Sequence, residues 1–277
     1  MIKISELYIY PIKSLGGIKL DKAVITDRGF QYDRRWMLID INNRFISQRE
    51  CAKMALLKTS ISDHSLTVTF TLDNSFIKIP LLPVKKEVIQ VTIWDDACAG
   101  QLVSDEIDAW FTHVLGINIR LVYMPESTAR FTDPGYAPAD SITSFSDAYP
   151  FLMIGQSSLD DLNKRLNRKL PIDRFRPNIV FTGGTPYQED IMNGFTINNI
   201  TFNGVKLCAR CVMITIDQAD ASMEKEPTKT LASYRAKNNK IYFGQNLVHR
   251  GSGTISVGDE LSVLSTHNNE RFIIPEK

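Results

Sequence analysis

Cys208-Ala209-Arg210-Cys211 is the spacing in this sequence most suited to chemistry. Two sulfurs this close can help hold a metal, form a redox pair, or present one activated thiolate. A structural zinc site needs four ligands, but Cys51 and Cys98 are isolated and His64, His113, His249 and His267 form no HxxxH pair, which argues against zinc. A dithiol redox pair needs CxxC at a helix N-terminus, whereas Val212-Met213-Ile214-Thr215-Ile216 reads as continuing strand. In the third reading a single thiolate acts, because Arg210 beside Cys211 favours the deprotonated sulfur that a soft metal or an electrophile requires. Against it stands the reading of both thiols as small buried hydrophobes in a strand. Spacing alone does not separate the two.

Several short motifs carry the parts of an anion site. Tyr10-Pro11-Ile12-Lys13-Ser14-Leu15-Gly16-Gly17 combines a lysine, a hydroxyl and flexible glycines, but Leu7 and Ile12 stand where a Walker loop has glycine. A generic anion nest and an ordinary strand-to-turn junction both fit it. In Asp33-Arg34-Arg35-Trp36, two arginines at the start of a strand point to opposite faces, so only one can face a site. In Arg174-Phe175-Arg176-Pro177-Asn178, Arg174 and Arg176 share a face if the segment is extended, as Pro177 favours. Two adjacent guanidiniums need an anion between them or a carboxylate nearby, and Asp173 is the nearest candidate. Glu189-Asp190 reads as a solvated polar turn. Gly183-Gly184 and Gly251-Ser252-Gly253 lack GxGxxG spacing, and Gly155-Gln156-Ser157 is no GxSxG elbow.

The elements that must position these residues are mostly strands. Ile4 to Tyr10, Arg35 to Asp40, Ser65 to Leu72 and Val88 to Trp94 are rich in β-branched and aromatic residues, with breakers between them, and predict an antiparallel β module. A helix follows from Ser104, with Ile107, Trp110, Phe111 and Leu115 at helical spacing and Gly116 to end it. Strand Ile119 to Tyr123 leads into a long polar stretch, Glu126 to Ser146, of the kind that is functional or mobile. The second half opens with strand Phe151 to Gly155 and a helix capped by Ser157 or Ser158. Strands are then expected over Asn178 to Thr182, Phe195 to Phe202, Lys206 to Asp217 and Thr254 to Leu264, and a helix near Thr228 to Ala236. Strands in runs favour an α+β or barrel-like architecture over a doubly wound sheet.

With 277 residues, and about 150 per domain, the chain holds one large domain or two ordinary ones. The 32 Lys+Arg and 31 Asp+Glu leave a net charge of +1, which excludes a global field for a nucleic-acid polymer but not a local basic cluster. The N-terminus has no signal-peptide pattern, and no stretch reaches the roughly 18 apolar residues of a membrane segment. A cytoplasmic protein with reduced thiols is expected.

YPIKS near the start, DRRW at 33 to 36, SDAYPFL at 146 to 152, FRPNIV at 175 to 180 and CARCVMITID at 208 to 217, in that order, resemble the MOSC-domain proteins. KEPTKTLASYR and FGQN downstream fit as well. The resemblance is to the branch with an N-terminal β-barrel module, which includes the mitochondrial amidoxime-reducing component and bacterial reductases of N-hydroxylated bases. It implies a β-rich α+β fold: an N-terminal β-barrel-like module over 1–124, then a MOSC β-barrel domain with flanking helices over 125–270. It also implies a molybdenum cofactor (Mo-molybdopterin), with Cys211 as the metal's protein ligand and Cys208 in a packing or supporting role. Position by position, Lys13 and Ser14 would contact the pterin or its phosphate, and Arg34 and Arg176 would neutralise the same anion. Asn178 would lie near the pocket and Asp147 near the metal, while Ala209 and Arg210 would donate to the cofactor. Ala209 stands where the family more often has serine, and Tyr149 where it has a smaller polar residue. The implied reaction is a two-electron, two-proton reduction of an N-hydroxylated small molecule. No CxxxxCxxC run follows Cys211, so the electrons are expected from a separate flavoprotein, ferredoxin or cytochrome b5-like partner. The family also implies an alternative, a cofactor or sulfur carrier without reductase activity, since MOSC domains occur in the sulfurase that finishes molybdenum cofactors.

Overall fold

Strands dominate because the apolar residues of this chain alternate or run in short blocks. The computed structural model describes residues 1–267, so positions 268–270 of the expected second module lie outside the described residues. The first half forms β1 (Lys3–Ile9), β2 (Ile18–Leu20), β3 (Lys22–Thr26), β4 (Gly29–Phe30), β5 (Trp36–Ile39), β6 (Leu57–Ile61), β7 (Ser65–Phe70), β8 (Phe76–Pro80), β9 (Val88–Ile93) and β10 (Asp96–Leu102). Helix α1 (Asp105–Leu115) and β11 (Arg120–Tyr123) close it. The polar stretch after it carries a short hairpin, β12 (Arg130–Phe131) and β13 (Ile142–Thr143). The second half runs β14 (Phe151–Gly155), α2 (Gln156–Arg165), β15 (Ile179–Thr182), β16 (Met192–Ile197), β17 (Ile200–Arg210), α3 (Thr228–Arg235), β18 (Ala236–Lys237), β19 (Lys240–Arg250), β20 (Gly253–Ser256) and β21 (Leu261–Thr266). The fold is α+β and rich in strand, as expected.

In sheet β5-β11-β10-β9, strand β5 is buried on both faces. Trp36 and Leu38 turn toward α1 and sheet β6-β7-β8, while Met37 and Ile39 turn toward Val91, Ile93 and Phe145, the period-two alternation of a strand. Helix α1 begins and ends where expected, with Asp105, Glu106 and Asp108 at its positive end and Gly116 left-handed at φ 74°.

The largest sheet follows the order β2-β1-β15-β14-β19-β17-β16-β21. The first strand of the chain is therefore integral to the sheet of the second half, and β3 likewise pairs with β20. Phe151 and Met153 of β14 face one core with Phe181, Phe195 and Phe202, whereas Leu152 and Ile154 face a second core under α2 and α3. Strand β14 passes through α2 to β15, its parallel neighbour, and every other described ladder is antiparallel.

Several expectations need correction. Phe195 to Phe202 is a hairpin turning at Asn198, which sits left-handed at φ 53°. Thr254 to Leu264 splits between β20 and β21, which belong to different sheets. The central strand β19 was not expected, because Gly244, Gln245 and Asn246 interrupt its apolar pattern. Strand β17 stops at Arg210, and Val212–Thr215 is a 3₁₀ turn rather than more strand. Helix α2 starts at Gln156 after Gly155, so Ser157 and Ser158 lie inside its first turn.

Glu189-Asp190 is not a solvated turn either. Both residues are buried, in a 3₁₀ turn behind α2. The Ser158 hydroxyl donates to Glu189 Oε2 at 2.8 Å, so a carboxyl from elsewhere in the chain serves the start of the helix. Gly155 permits this, since a Cβ there would come within 3.0 Å of Glu189 Oε2. Burial first, and then the adjacent Asp190 charge, push the Glu189 carboxyl up to about 8. The folded state thus keeps a proton that the unfolded chain releases near pH 4.5. This contribution to stability is full below that pH and is lost as pH rises toward about 8. Thermal unfolding at pH 5 to 8.5 should show it: Glu189→Gln flattens the decline of stability with pH, and an identical slope in both proteins would contradict the assignment.

Candidate functional site

The loops that feed this site leave the main sheet at one end of its strands β1, β14 and β15. Because β1 runs antiparallel to β15 and β15 parallel to β14, the chain after β1 and the chain before β14 and β15 meet at the same end. Residues 10–17 follow β1 there, 145–150 precede β14, and 176–178 precede β15. The 33–36 turn is stitched to the first loop by Arg34 N to Tyr10 O at 2.9 Å and Lys13 N to Trp36 O at 2.8 Å. A cavity of about 120 Å³ opens at this seam, and its walls include Lys13, Ser14, Arg34, Asp147, Arg176, Asn178, Ala209, Arg210 and Cys211. All nine sequence-derived candidates therefore line one space.

Lys13 is buried with its ammonium in contact with Asp147 Oδ1 at 2.6 Å and the Phe145 carbonyl at 2.8 Å. Burial brings its amine down to about 8, against the pull of Asp147. Partial desolvation opposes ionisation of Asp147, but the Lys13 charge and hydrogen bond, with Arg49 and Arg34 adding, hold its carboxyl well below the usual range. The Asp147 side chain is 59% exposed, so solvent screens this pair and it adds little to stability.

Arg34 adopts a left-handed backbone, φ 49°, and does not begin a strand. Its Nη1 donates to Asp33 Oδ2 at 2.6 Å and to Asn178 Oδ1 at 2.9 Å. Arg35 points the other way, to Tyr123 and Glu126; only one of the two faces the cavity, through a turn and not through strand alternation. Asn178 also accepts from Leu152 N and donates to the Tyr8 carbonyl. Its amide thus joins β1, β14 and Arg34.

The 174–176 segment is a 3₁₀ turn ending in a left-handed Arg176, φ 56°, and is not extended despite Pro177. Arg174 is buried on Asp217 at 2.7 Å, so Asp217, not Asp173, is its carboxylate. Arg176 has no carboxylate partner among the described ion pairs. Its guanidinium lies 4.2 Å from the centre of the Tyr10 ring, with that of Arg34 at 4.5 Å, and its Nη2 is buried without a hydrogen bond. Burial lowers Arg176 to about 10; Tyr10 opposes this and the Arg34 charge adds to it. Gly17 lets the loop lie against Tyr10, since a Cβ would come within 2.5 Å of the ring. Arg176 also borders a second cavity, of about 390 Å³, with Tyr8, Tyr10 and Lys58.

Cys211 is exposed at the end of β17, while Cys208 is half-buried. All four cysteines are free. Arg210 contacts the Cys208 sulfur at 3.1 Å and the Phe175 carbonyl at 2.7 Å, so it serves Cys208 and not, as expected, the adjacent Cys211. Arg174, Tyr149, Met213 and Asn246 also line the cavity. Asn246 closes the FGQN segment of the family resemblance but receives no role from the sequence, because the strand around it is not expected; the signal for that strand lay in the β-rich KIYF and LVHR segments on either side.

The site combines an exposed thiol with a surplus of positive charge on buried and half-buried side chains. Among the described residues, no group of three His, Cys, Asp or Glu gathers to hold a bare ion, so a metal here would need a chelate that brings its own ligands. An unpaired, desolvated guanidinium with an orphaned donor is costly unless an anion meets it. A polyanionic, metal-bearing chelate fits this donor set.

Residues 1–118 match the MOSC N-terminal beta barrel domain and residues 140–262 the MOSC domain. The chain is 31% identical to "Mitochondrial amidoxime-reducing component 1" of Homo sapiens over 94% of its own length and 82% of that protein. It is 30% identical to "Mitochondrial amidoxime reducing component 2" of Bos taurus over 92% of its own length and 81% of that protein. Against "Molybdenum cofactor sulfurase" of Oryza sativa subsp. japonica it is 30% identical over 88% of its own length, spanning 32% of that larger protein.

The Lys13–Asp147 contact gives a direct test of this electrostatic arrangement. Removing the carboxylate takes away the charge that supports the ammonium, so Asp147→Asn should move the Lys13 midpoint below about 8. NMR titration of a labelled lysine side chain reads it, and an unchanged or raised midpoint would contradict the pairing.

Proposed function

The chain belongs to the MOSC family, in the form that carries an N-terminal MOSC β-barrel domain, and from that premise we propose that it is a molybdenum-cofactor-dependent reductase of N-hydroxylated small molecules. The single observation that carries the reading is the cavity at the seam, where an exposed Cys211 shares walls with Lys13, Arg34, Arg176 and Arg210. When bound, the cofactor supplies a two-electron centre at its metal, with Cys211 as the protein's ligand to that metal.

The chain's own side chains do the rest. Lys13 and Ser14, from the loop after β1, and Arg34 and Arg176, stacked on Tyr10, bind the anionic pterin. Asn178 holds Arg34 in place, and the backbone of Ala209 and Arg210 lines the face next to Cys211. Asp147 stays ionised at neutral pH, so it does not act as a general acid. Its carboxylate keeps Lys13 protonated at Nζ and meets the amidinium or ammonium that forms as product. In the overall reaction the N–O bond breaks, two electrons and two protons are taken up, and the oxygen leaves as water. The electrons come from a separate flavoprotein, ferredoxin or cytochrome b5-like donor.

A second reading makes the chain a carrier of cofactor or sulfur, favoured by its likeness to the sulfurases. Molybdenum and pterin analysis of the purified protein from a cofactor-competent host, together with reduction of a simple amidoxime by dithionite-reduced viologen, separates the two. The reductase reading predicts stoichiometric metal and turnover. Metal without turnover would leave the carrier, and neither would exclude both. Cys211→Ser should abolish turnover whereas Cys208→Ala keeps most of it, and an active Cys211→Ser protein would overturn the ligand assignment. Arg176→Gln removes a charge-assisted bond of about 1.5–3 kcal/mol, so pterin affinity should fall roughly tenfold to hundredfold; equal pterin retention in the variant and the parent protein would contradict its role.

A further inference from the structure

We infer that the buried Asp190–Arg235 ion pair is a positioning device for Cys211, acting through the main chain of the neighbouring strand. The inference rests on the reading of Cys211 as the working thiol. Arg235 ends α3 and is fully buried, with Nη2 on Asp190 Oδ2 at 2.6 Å. Its Nε donates to the Tyr242 carbonyl at 3.0 Å, and its guanidinium lies 4.5 Å from the centre of the Tyr187 ring. One planar group is thus fixed by a carboxylate, a ring face and a strand carbonyl at once, which an ammonium on a flexible stem cannot reproduce.

Tyr242 matters because of what lies opposite it. In the β17–β19 ladder Ala209 faces Tyr242 and Arg210 faces Ile241, and a register shift between Leu207 and Ala209 separates these two pairings from the rest. The last two residues before Cys211 therefore take their position from the first residues of β19. Those residues are held on their other side by β18, where Ala236 faces Ile241 and Lys237 faces Lys240. The turn joining them is tight, with Asn238 and Asn239 left-handed at φ 51° and 57°. This small hairpin starts directly after Arg235, so the guanidinium anchors both its entry and its Tyr242 carbonyl. Beyond Cys211 the same helix acts again, since Ile214 packs with Leu231 and Tyr234. The thiol is held from both sides by α3, and Asp190 fixes where α3 ends.

Burying an ion pair is a poor way to gain stability compared with packing hydrocarbon of the same volume. Its distinctive property is direction. Arg235→Lys keeps the charge beside Asp190 but loses the fork that reaches Tyr242 at the same time. In the metal-free protein, folded by circular dichroism, the expected result is alkylation of Cys211 by iodoacetamide severalfold faster than in the parent, read by peptide mass spectrometry. In the loaded protein the metal's X-ray absorption edge should shift, and kcat should fall with KM little changed. Asp105→Asn, which removes the remote Lys85–Asp105 pair at the start of α1, should leave the Cys211 alkylation rate as it is.

Should Arg235→Lys not fold, Asp190→Asn retains an acceptor for the guanidinium and is read in the same way. A folded Arg235→Lys or Asp190→Asn protein with the parent's alkylation rate overturns the proposal. The alkylation arm needs no metal. A parent protein that takes up no molybdenum would therefore defeat the functional reading while leaving this one to be decided.

Discussion

A half-buried guanidinium with no carboxylate in direct contact among the described ion pairs is the constraint on which the site depends. Arg176 is held in a left-handed turn, stacked on Tyr10, lowered in basicity by burial and left with an unpartnered donor. Such a group is unfavourable in the protein alone, and it persists because its surroundings leave it no other place. Its neighbour Arg34 repels it and is held by Asp33 and Asn178. On the proposed function, an anion bound between them would relieve the repulsion, and the strain of the free site and the affinity of the filled one would have the same origin. Pre-organisation of this kind reduces what must be ordered at the moment of binding.

The topology explains why the cations can converge. Since β1 lies in the sheet of the second half, the loop bearing Lys13 and Ser14 is carried to the starts of β14 and β15. The 33–36 turn follows by its hydrogen bonds to that loop. Neither family domain matched along the chain contains the site by itself. The seam between them does, and a substitution that loosened the register of β1 against β15 would disperse the cations without touching any of them.

The parts of this arrangement that depend on local pattern could be read from the sequence. Helix α1, with its acidic first turn and Gly116, and strands such as β5, β7 and β9 follow from spacing and breakers. The candidate residues were legible as short motifs of unusual charge, and the family resemblance placed them in a common order. What could not be read was tertiary. Strand β19 carries Gly244, Gln245 and Asn246 because it is pressed between β14 and β17, where close approach matters more than alternation. The 212–215 turn is apolar enough to pass for strand, and Ile214 is apolar because it packs under α3. Glu189 and Asp190 looked solvated because only the fold supplies Ser158 and Arg235 to receive them. Arg176 was expected extended from Pro177, but contacts with Tyr10 hold it otherwise.

The proposed chemistry requires Cys211 to meet a metal whose chelate is anchored by these cations. Molybdenum K-edge X-ray absorption on the loaded chain and its Cys211→Ser variant tests it most directly. The variant should show one sulfur neighbour fewer around the metal, with the remaining sulfur shell intact. An identical sulfur shell in the two proteins would contradict it, because the thiol would then lie outside the metal's coordination sphere.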